Sequence, residues 1–231
     1  MKKIGIIGGM GPMATVDLFS KITMLTQAKS DQEHIHILVD SNTAIPDRTK
    51  AILEGGEDPV PEMVRSALSL EAMGADVLLM SCNTAHYFYD RIRQFTHVSI
   101  LNMIEETARE AKKRKISCVG LLATEGTCRT EIYDKAFKAQ GIKVVKPEGQ
   151  LEQSIMDLIY KGVKAGCTDY PLDEVYKVLR ELKKQGAEVF ILGCTELPLA
   201  FQMYGIKEDV IDPTEVLARR VVTFAKEETV A

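Results

Sequence analysis

Two short cysteine-containing segments of the chain resemble one another, and their repetition limits the folds that the sequence can adopt. Residues 81–86 (SCNTAH) and 193–198 (GCTELP) each follow a short apolar run that opens with Gly-Ala. Short, continuous apolar runs of this kind predict buried strands. A helical pattern precedes each run, at residues 61–73 and 172–185, and the two cysteines stand 112 positions apart. The unit helix, Gly-Ala, strand, cysteine therefore occurs twice.

A second repeat supports a duplication. Residues 3–12 resemble residues 117–127, and aligning Gly5 with Gly120 gives an offset of 115, close to that of the cysteines. Alternating strands and helices predict an α/β fold with parallel sheets, whose ligands bind at the carboxyl ends of the strands. We therefore expect two similar lobes related by pseudo-twofold duplication, each a mostly parallel sheet flanked by helices, with the active site in the cleft between them. The first lobe is predicted at residues 1–103 plus 211–231 and the second at 104–210.

Composition and charge narrow the function classes. The 231 residues suit two lobes of the usual domain size, and 45% of the residues are apolar, enough for ordinary cores. The net charge of −4 lacks the excess of basic residues that is typical of nucleic-acid-binding proteins. No apolar stretch reaches membrane-spanning length, and the short apolar run after Lys3 ends in glycines, which indicates a first strand rather than a signal peptide. An odd number of cysteines, five, favours free thiols in a reducing, cytoplasmic compartment.

The repeat singles out Cys82 and Cys194 among these thiols. Most single cysteines are small buried hydrophobes, and Cys118, inside a predicted strand, fits that description. Cys128 and Cys167 have no counterpart in the other half of the chain. Cys82 and Cys194 each stand where a strand is predicted to end and a helix to begin, a place where unpaired amides and the helix dipole favour thiolate.

Two cysteines facing one cleft are compatible with three chemistries. A disulfide is disfavoured by the predicted compartment. A metal site would need more ligands, because Cys82 and His86 are four residues apart but no second Cys/His cluster has zinc-like spacing. The third chemistry places a thiolate and a thiol on opposite faces of a substrate carbon, where one removes a proton and the other delivers one. Such a pair inverts the carbon and titrates as a coupled unit.

Five segments, taken together and in order, resemble the cofactor-independent aspartate/glutamate racemases. They are residues 8–12 (GGMGP), 46–49 (PDRT), 82–86 (CNTAH), 122–127 (LATEGT) and 193–196 (GCTE). The resemblance covers essentially the whole chain, and both cysteines are retained. Glutamate racemases of this family have a histidine after the second Cys-Thr, whereas Glu196 stands here, which favours the aspartate branch.

The resemblance implies a function and a mechanism. The expected reaction interconverts L- and D-aspartate by two-base 1,1-proton transfer at the α-carbon, with Cys82 and Cys194 as the acid/base pair, each serving one enantiomer. Pyridoxal phosphate, metal and nucleotide would not be needed. The expected partner is the small amino-acid substrate rather than nucleic acid or membrane, and the resemblance also implies a homodimer.

Further substrate contacts are expected from the matching segments. The predicted set comprises Met10, Asp47, Arg48, Thr49, Asn83, Thr84, Ala85, Thr124, Thr127, Lys164 and Thr195. Amides and hydroxyls in this set suit an α-carboxylate and the developing carbanion charge, although helix capping would explain Asn and Thr equally well. Arg48 suits a bidentate grip on the side-chain carboxylate. Lys164 is included as a second carboxylate contact by the resemblance alone, and His86 and Glu196 stand close enough in sequence to tune or orient the cysteines.

Two readings from other classes remain open in the sequence. Residues 9–14 fit the pattern G-x-G-x-x-A after a predicted strand, and Asp40 ends the second strand, which is the outline of an NAD-dependent oxidoreductase. That reading leaves the cysteine repeat unexplained. The other reading is a two-lobed protein that binds an amino acid without catalysis. Within the racemase family, glutamate or a broad range of amino acids are alternative substrates.

Overall fold

The computed structural model describes residues 1–227 and divides the chain into two compact units. Among the described residues, the first unit contains Met1–Glu106 and residues 214–227, and the second contains Thr107–Pro213. Residues 228–231, which the sequence analysis assigns to the first lobe, lie outside the described residues.

Strands and helices alternate along the described chain. The strands are β1 (Ile4–Gly8), β2 (Ile37–Ser41), β3 (Val77–Met80), β4 (Cys118–Leu122), β5 (Lys143–Val145), β6 (Val189–Leu192) and β7 (Val210–Ile211). The α-helices are α1 (Pro12–Thr26), α2 (Arg48–Leu53), α3 (Val60–Ala72), α4 (Tyr89–Ile92), α5 (Met103–Lys113), α6 (Glu125–Arg129), α7 (Ile132–Ala139), α8 (Gln150–Asp157), α9 (Asp173–Lys184), α10 (Glu196–Met203) and α11 (Pro213–Lys226). Two 3₁₀-helices, Asp31–Glu33 and Thr84–Phe88, and a π-helix, Leu158–Lys164, complete the list.

The first unit is built on a parallel sheet with the strand order β2-β1-β3. The register pairs Ile4 of β1 with Ile37 of β2 and with Val77 of β3, so β1 lies in the middle. All five residues of β1 are buried because helices cover both faces of the sheet. Beyond β3, a single bridge joins Leu78 to Ile100.

Alternating residues of the strands supply two separate cores in this unit. Ile4 and Ile6 pack with Leu18 of α1 and Leu217 of α11. Ile7 packs on the other side of the sheet, in the core that contains Met63 and Leu70 of α3. This follows from the strand geometry, in which successive side chains point to opposite faces. Each fully buried aliphatic side chain contributes roughly 1.5–3 kcal/mol relative to an exposed one.

The second unit is also built on a parallel sheet, with the order β5-β4-β6-β7. Here β4 and β6 are the inner strands, and β7 pairs with β6 through Phe190 and Val210. Its core includes Leu122, Phe190 and Leu192 of the strands. Buried residues of α8, α9, α10 and the π-helix pack against them.

A glycine at the same place in the first strand of each sheet permits close packing of the Gly-Ala segments. A Cβ atom at Gly5 would lie 2.6 Å from Leu78 Cδ2 and 3.0 Å from the Ala75 methyl carbon. A Cβ atom at Gly120 would lie 2.8 Å from Phe190 Cδ1 and 3.2 Å from the methyl carbon of Ala187, the counterpart of Ala75. The repeat recognised in the sequence therefore corresponds to the same packing arrangement in both units. The predicted fold class, α/β with two parallel sheets flanked by helices, is confirmed.

Candidate active site

Cys82 and Cys194 occupy equivalent positions in their units. Each is the second residue after a parallel strand that pairs with the first strand of its sheet, β3 in one unit and β6 in the other. Both side chains are buried, each with 7% of its surface exposed. Carboxyl ends of parallel strands are where ligands bind in α/β folds, so both thiols stand at the expected edge of their sheets.

The main chain at Cys82 is held by His86. The Met103 N–H donates to His86 Nε2 at 3.1 Å, so Nε2 is the acceptor nitrogen and the proton is on Nδ1. Nδ1 then donates to the Cys82 carbonyl oxygen at 2.8 Å. Burial lowers the pKa of His86 to about 4, so the ring is neutral at physiological pH. His86 therefore contacts Cys82 through the main chain, and this geometry suits orientation of the Cys82 segment.

A hydroxyl network that the sequence analysis missed connects the glycine turn to the Cys82 segment. The Thr15 hydroxyl accepts a hydrogen bond from the Gly9 N–H at 2.9 Å and lies 3.1 Å from the Ser81 hydroxyl. A Cβ atom at Gly8 would lie 2.4 Å from Thr15 Cγ2, and Gly9 has a φ of +85°. These two glycines are needed because the turn must approach Thr15 closely and enter the left-handed region. Thr15 belonged to no motif, and although Ser81 stands in the first cysteine segment, nothing in the sequence marked the contact between the two hydroxyls.

Arg48 is fixed by main-chain oxygens rather than by a carboxylate. It is the first residue of α2, and its Nη1 donates to the Pro46 carbonyl at 3.0 Å while Nη2 donates to the Met10 carbonyl at 3.2 Å. Its buried Nε has no hydrogen-bond partner, and within residues 1–227 the guanidinium forms no ion pair. A partly buried cation with an unused N–H is suited to an anionic ligand. Asp47 caps α2 by accepting from the Lys50 N–H at 2.8 Å, and Thr49 follows Arg48 in the first turn.

The Cys194 thiol belongs to a charged cluster centred on Glu196. Cys194 Sγ donates to Glu196 Oε2 at 2.9 Å, and the Thr195 hydroxyl donates to the same oxygen at 3.2 Å. Lys164 Nζ lies 3.5 Å from Glu196 Oε1. Burial raises the pKa of the Cys194 thiol well above its usual range, and the charge of Glu196 and its hydrogen bond raise it further. The thiol is therefore protonated in this arrangement.

A π-helix brings Lys164 to this cluster. Helix α8 continues directly into the π-helix Leu158–Lys164, and π-helical turns are rare and often found at functional sites. A Cβ atom at Gly162 would lie 3.2 Å from the Tyr204 hydroxyl oxygen, so this helix passes close to Tyr204. The Lys164 ammonium also lies 4.6 Å from the centroid of the Tyr160 ring.

The remaining predicted residues are placed as follows. Asn83, Thr84 and Ala85 are buried beside Cys82 at the start of the 3₁₀-helix. Thr124 caps α6 by accepting from the Thr127 N–H at 3.4 Å, and the two hydroxyl oxygens are 3.2 Å apart. Capping of α6 is thus observed, and a substrate contact by Thr124 or Thr127 stays a prediction.

Tyr133 is a buried polar residue that the sequence analysis did not single out. Only 1% of it is exposed, and burial raises the pKa of its phenol well above the usual range, with further contributions from Asp212 and Cys194. Its place in the amphipathic pattern of α7 is that of an ordinary core residue, so the sequence carried no signal.

Within the first unit, the structure joins Met10 to Arg48 and Cys82 to His86, and Met10 and Cys82 pack in one core cluster. Within the second unit, it joins Lys164, Cys194, Thr195 and Glu196.

All five cysteines are free thiols. Over residues 1–227, no three His, Cys, Asp or Glu side chains are grouped closely enough to hold a metal ion. Over the same range, no helix is long and apolar enough to cross a membrane.

The fold and the paired cysteine segments define a two-unit α/β protein with a buried thiol after an equivalent parallel strand in each unit. The profile of the Asp/Glu/Hydantoin racemase family matches residues 7–221. The chain belongs to this family, as the sequence motifs predicted. It is therefore a member of a racemase family that acts on small amino-acid substrates.

Individual relatives extend over most of the chain. The broad specificity amino-acid racemase RacX of Bacillus subtilis is 28% identical over 95% of this chain and 96% of its own length. The structure of the Picrophilus torridus aspartate racemase is similar with a TM-score of 0.82 and 31% identity, covering 97% of this chain and 94% of that chain. The glutamate racemase of Aquifex aeolicus is 28% identical over 69% of this chain and 62% of its own length.

Proposed function

We propose that this chain interconverts L- and D-aspartate by two-base proton transfer between Cys82 and Cys194, without pyridoxal phosphate, nucleotide or metal. The observation that carries the proposal is a buried thiol at the same strand-end position in each unit, accompanied by a cation in that unit. Arg48 is the cation of the first unit and Lys164 that of the second. The aspartate racemase of Picrophilus torridus, similar over nearly the whole chain, supports aspartate as the substrate.

The proposed reaction conserves protons. One cysteine, as thiolate, takes the α-proton and becomes a thiol, while the other, as thiol, delivers its proton to the opposite face of the carbanion and becomes a thiolate. The carbon is inverted, and the reverse reaction uses the two groups in exchanged roles. Both thiols must reach one substrate carbon, and this is part of the proposal. The α-proton is a far weaker acid than a thiol, so the carbanion needs preorganised donors.

Arg48 is proposed to bind the side-chain carboxylate of the substrate. Its guanidinium is held in place by the carbonyls of Met10 and Pro46, and its buried Nε has no acceptor among the described residues. Because the cation is already ordered, little side-chain entropy is lost on binding. Asp47 and Thr49, at the start of α2, would support this placement.

Donors around the cysteines are proposed to bind the α-carboxylate and to stabilise the carbanion. They are Asn83, Thr84, Thr124, Thr127 and Thr195. Ala85, in the same segment as Asn83, is proposed to contact the substrate without donating a side-chain hydrogen bond. All of them are buried, and hydrogen bonds to a developing charge are worth more in a site that excludes water. Lys164 is proposed as a second carboxylate contact.

A racemase of broad specificity is the second candidate, because RacX matches the chain over nearly its full length. Glutamate is the other dicarboxylic substrate to test, given the similarity to a glutamate racemase. Family membership favours all of these over the NAD-dependent oxidoreductase and the non-catalytic binding protein that the sequence left open. The homodimer and the cytoplasmic location stay predictions.

Incubation with L-aspartate in D2O, without added cofactor, tests the proposal. We expect D-aspartate to appear with deuterium at the α-carbon, while the remaining L-aspartate keeps most of its protium during the first turnovers. This asymmetry arises because the incoming proton comes from the second thiol, which exchanges with solvent. Chiral chromatography and mass spectrometry measure both quantities. Parallel incubations with glutamate and with amino acids lacking a second carboxylate distinguish the candidates, and the absence of inversion with every amino acid would refute racemase activity.

A further inference from the structure

One carboxylate, that of Glu196, is shared by three donors of the second unit. Its Oε2 accepts from the Cys194 thiol at 2.9 Å and from the Thr195 hydroxyl at 3.2 Å, while its Oε1 lies 3.5 Å from the Lys164 ammonium. The Glu196 side chain is 16% exposed and that of Lys164 is 41% exposed. The inner end of this cluster is thus a buried thiol, and its outer end is a lysine that solvent or a ligand can reach.

We propose that Lys164 controls the release of the Cys194 proton through Glu196, so that a substrate with a second carboxylate activates the thiol by drawing Lys164 away from Glu196. The inference rests on the proposed racemase function. It gives Lys164 a role beyond substrate affinity, and it makes Glu196 a positioning residue that also accepts the thiol proton.

The sign of the effect follows from the charges. Lys164 also lowers the pKa of the Cys194 thiol, but this effect is smaller than those of burial and of Glu196, whereas Lys164 pairs directly with the Glu196 carboxylate. While Lys164 is paired with Glu196, the ammonium stabilises the carboxylate anion and makes it a poor proton acceptor. A substrate carboxylate that binds Lys164 competes with Glu196 for the same positive charge. Glu196 then loses its counter-ion in a partly buried site and becomes more basic. It is already hydrogen-bonded to the Cys194 thiol, so the proton needs to move only along an existing bond.

The transfer balances in protons and charge. Cys194 S–H and the Glu196 carboxylate become Cys194 thiolate and Glu196 carboxylic acid, without any oxidant or co-reactant. The thiolate can then take an α-proton from one enantiomer. After turnover Cys194 carries the α-proton and Cys82 is a thiolate. Glu196 then releases its proton to solvent, Cys82 takes one up from solvent, and Lys164 pairs with Glu196 again when the product leaves.

The other groups near the cluster do not supply an alternative acceptor. Burial raises the pKa of the Tyr133 phenol well above the usual range, so Tyr133 of α7 stays protonated and cannot accept the thiol proton. The charge of Asp212 raises the pKa of Tyr133 further. Glu196 of α10 is the carboxylate bonded directly to the thiol, and Lys164 of the π-helix is the cation bonded to that carboxylate.

Substrate selectivity should consequently appear in kcat as well as in KM. An amino acid without a second carboxylate leaves Lys164 on Glu196, so its bound complex contains a less active Cys194. If Lys164 only contributed binding energy, poor substrates would differ mainly in KM, because uniform binding does not change the chemical step.

The first test concerns the thiol itself. In E196Q the negative charge beside Cys194 is lost, while the amide oxygen can still accept from the thiol. We expect the pH midpoint for iodoacetamide labelling of Cys194, followed on its peptide by mass spectrometry, to fall by at least one pH unit. Racemisation should nevertheless fall about 10²- to 10⁴-fold, the usual loss when a group that transfers a proton is removed. E174Q, which breaks the exposed Glu174–Lys177 pair, is the matched control and should change neither quantity.

The second test compares aspartate with asparagine in K164M, using α-deuterium exchange at saturating amino acid. We expect KM for aspartate to rise and the kcat ratio of aspartate to asparagine to fall at least tenfold, because Glu196 lacks an ammonium partner with both amino acids. In the E196Q background, the K164M substitution should leave this kcat ratio unchanged, so that K164M/E196Q and E196Q give the same ratio. Such non-additivity indicates that Lys164 and Glu196 are coupled. K161M is the control, since it breaks the ion pair between Lys161 of the same π-helix and Asp157 of α8.

Specific outcomes overturn the inference. A Cys194 labelling midpoint that does not fall in E196Q refutes the link between Glu196 and the thiol. The second refuting result is α-deuterium exchange of asparagine that is no faster in K164M than in the wild type, with a change only in KM for aspartate. Lys164 would then contribute to substrate binding alone. Both results are separable from failure of the proposed function, since labelling does not require turnover and wild-type racemisation is measured independently.

Discussion

At the scale of single residues, the hydrogen bond that holds the Cys82 main chain depends on the protonation state of His86. Its neutral ring donates to the Cys82 carbonyl and accepts from the Met103 N–H, and its pKa is lowered by burial to about 4. In the unfolded chain a histidine has a pKa near 6.5. Between these two values the unfolded chain binds a proton that the folded protein does not. The free energy of unfolding therefore decreases as the pH falls from about 6.5 to about 4.

We predict that H86Q removes this pH dependence. The wild-type protein should lose about 2 kcal/mol of unfolding free energy between pH 7 and pH 5 through His86, and H86Q should lack that loss although it is less stable at pH 7. Urea unfolding at the two pH values measures the difference. H97Q, which replaces an exposed histidine outside the candidate site, is the control. An H86Q protein with the same pH dependence as the wild type would show that folding does not lower the pKa of His86.

At the scale of elements, the short helix α2 determines where Arg48 lies. The Asp47 side chain accepts from the Lys50 N–H and caps the helix, while Arg48 begins it and reaches the Met10 carbonyl. Loss of such a cap typically costs about 1 kcal/mol. Because α2 has only six residues, we expect the cap to affect the order of Arg48 more than global stability.

We therefore predict that D47A raises KM for aspartate several-fold, whereas D47N, which retains a capping oxygen, has a much smaller effect. Steady-state kinetics measure this difference. D58A is the matched control, since Asp58 accepts from the Val60 N–H at the start of α3 and pairs with Arg91 rather than with residues of the candidate site. Equal effects of D47A and D47N would point to direct substrate contact by the carboxylate of Asp47.

Regular elements were predictable from the sequence, and irregular ones were not. The helices before the two cysteine strands were predicted at residues 61–73 and 172–185 and are α3 (Val60–Ala72) and α9 (Asp173–Lys184). The residues after Pro46 form α2, for which the sequence gives no helical signal because six residues are too few for a periodic pattern. Helix α6, with five residues, is likewise too short for such a pattern.

The site was predictable in identity but not in contacts. The repeated motif selected Cys82 and Cys194, whereas the bond between Cys194 and Glu196 depends on side-chain rotamers at the first turn of α10. The ion pair between Glu196 and Lys164 depends on a π-helix, which shifts the spacing of residues along the helix and has no sequence signature. The contact between the Thr15 and Ser81 hydroxyls depends on how α1 packs against the Cys82 segment, which the sequence does not show.

At the scale of the whole molecule, the duplication gives each unit one thiol at the same topological position but not the same surroundings. Cys194 donates to a carboxylate, whereas at Cys82 the neighbouring histidine contacts the carbonyl oxygen. The two bases of the proposed mechanism would thus be equivalent in placement and different in how their protons are released. Such asymmetry does not affect the equilibrium between the enantiomers. It does mean that replacing one cysteine leaves a different thiol, and therefore a different exchange reaction, than replacing the other.

We predict that C82A and C194A each lose racemisation and each retain α-hydrogen exchange, but with opposite enantiomers of aspartate. In each variant the remaining thiolate removes the α-proton of the enantiomer on its side and returns a solvent-derived deuteron to the same face, so exchange occurs without inversion. Nuclear magnetic resonance in D2O, with L- and D-aspartate in separate samples, follows the loss of the α-proton signal. C167A, which removes a thiol outside the two cysteine segments, should behave as the wild type. Exchange of the same enantiomer by both variants would mean that the two thiols do not act on opposite faces of one carbon, and the two-base mechanism would have to be abandoned.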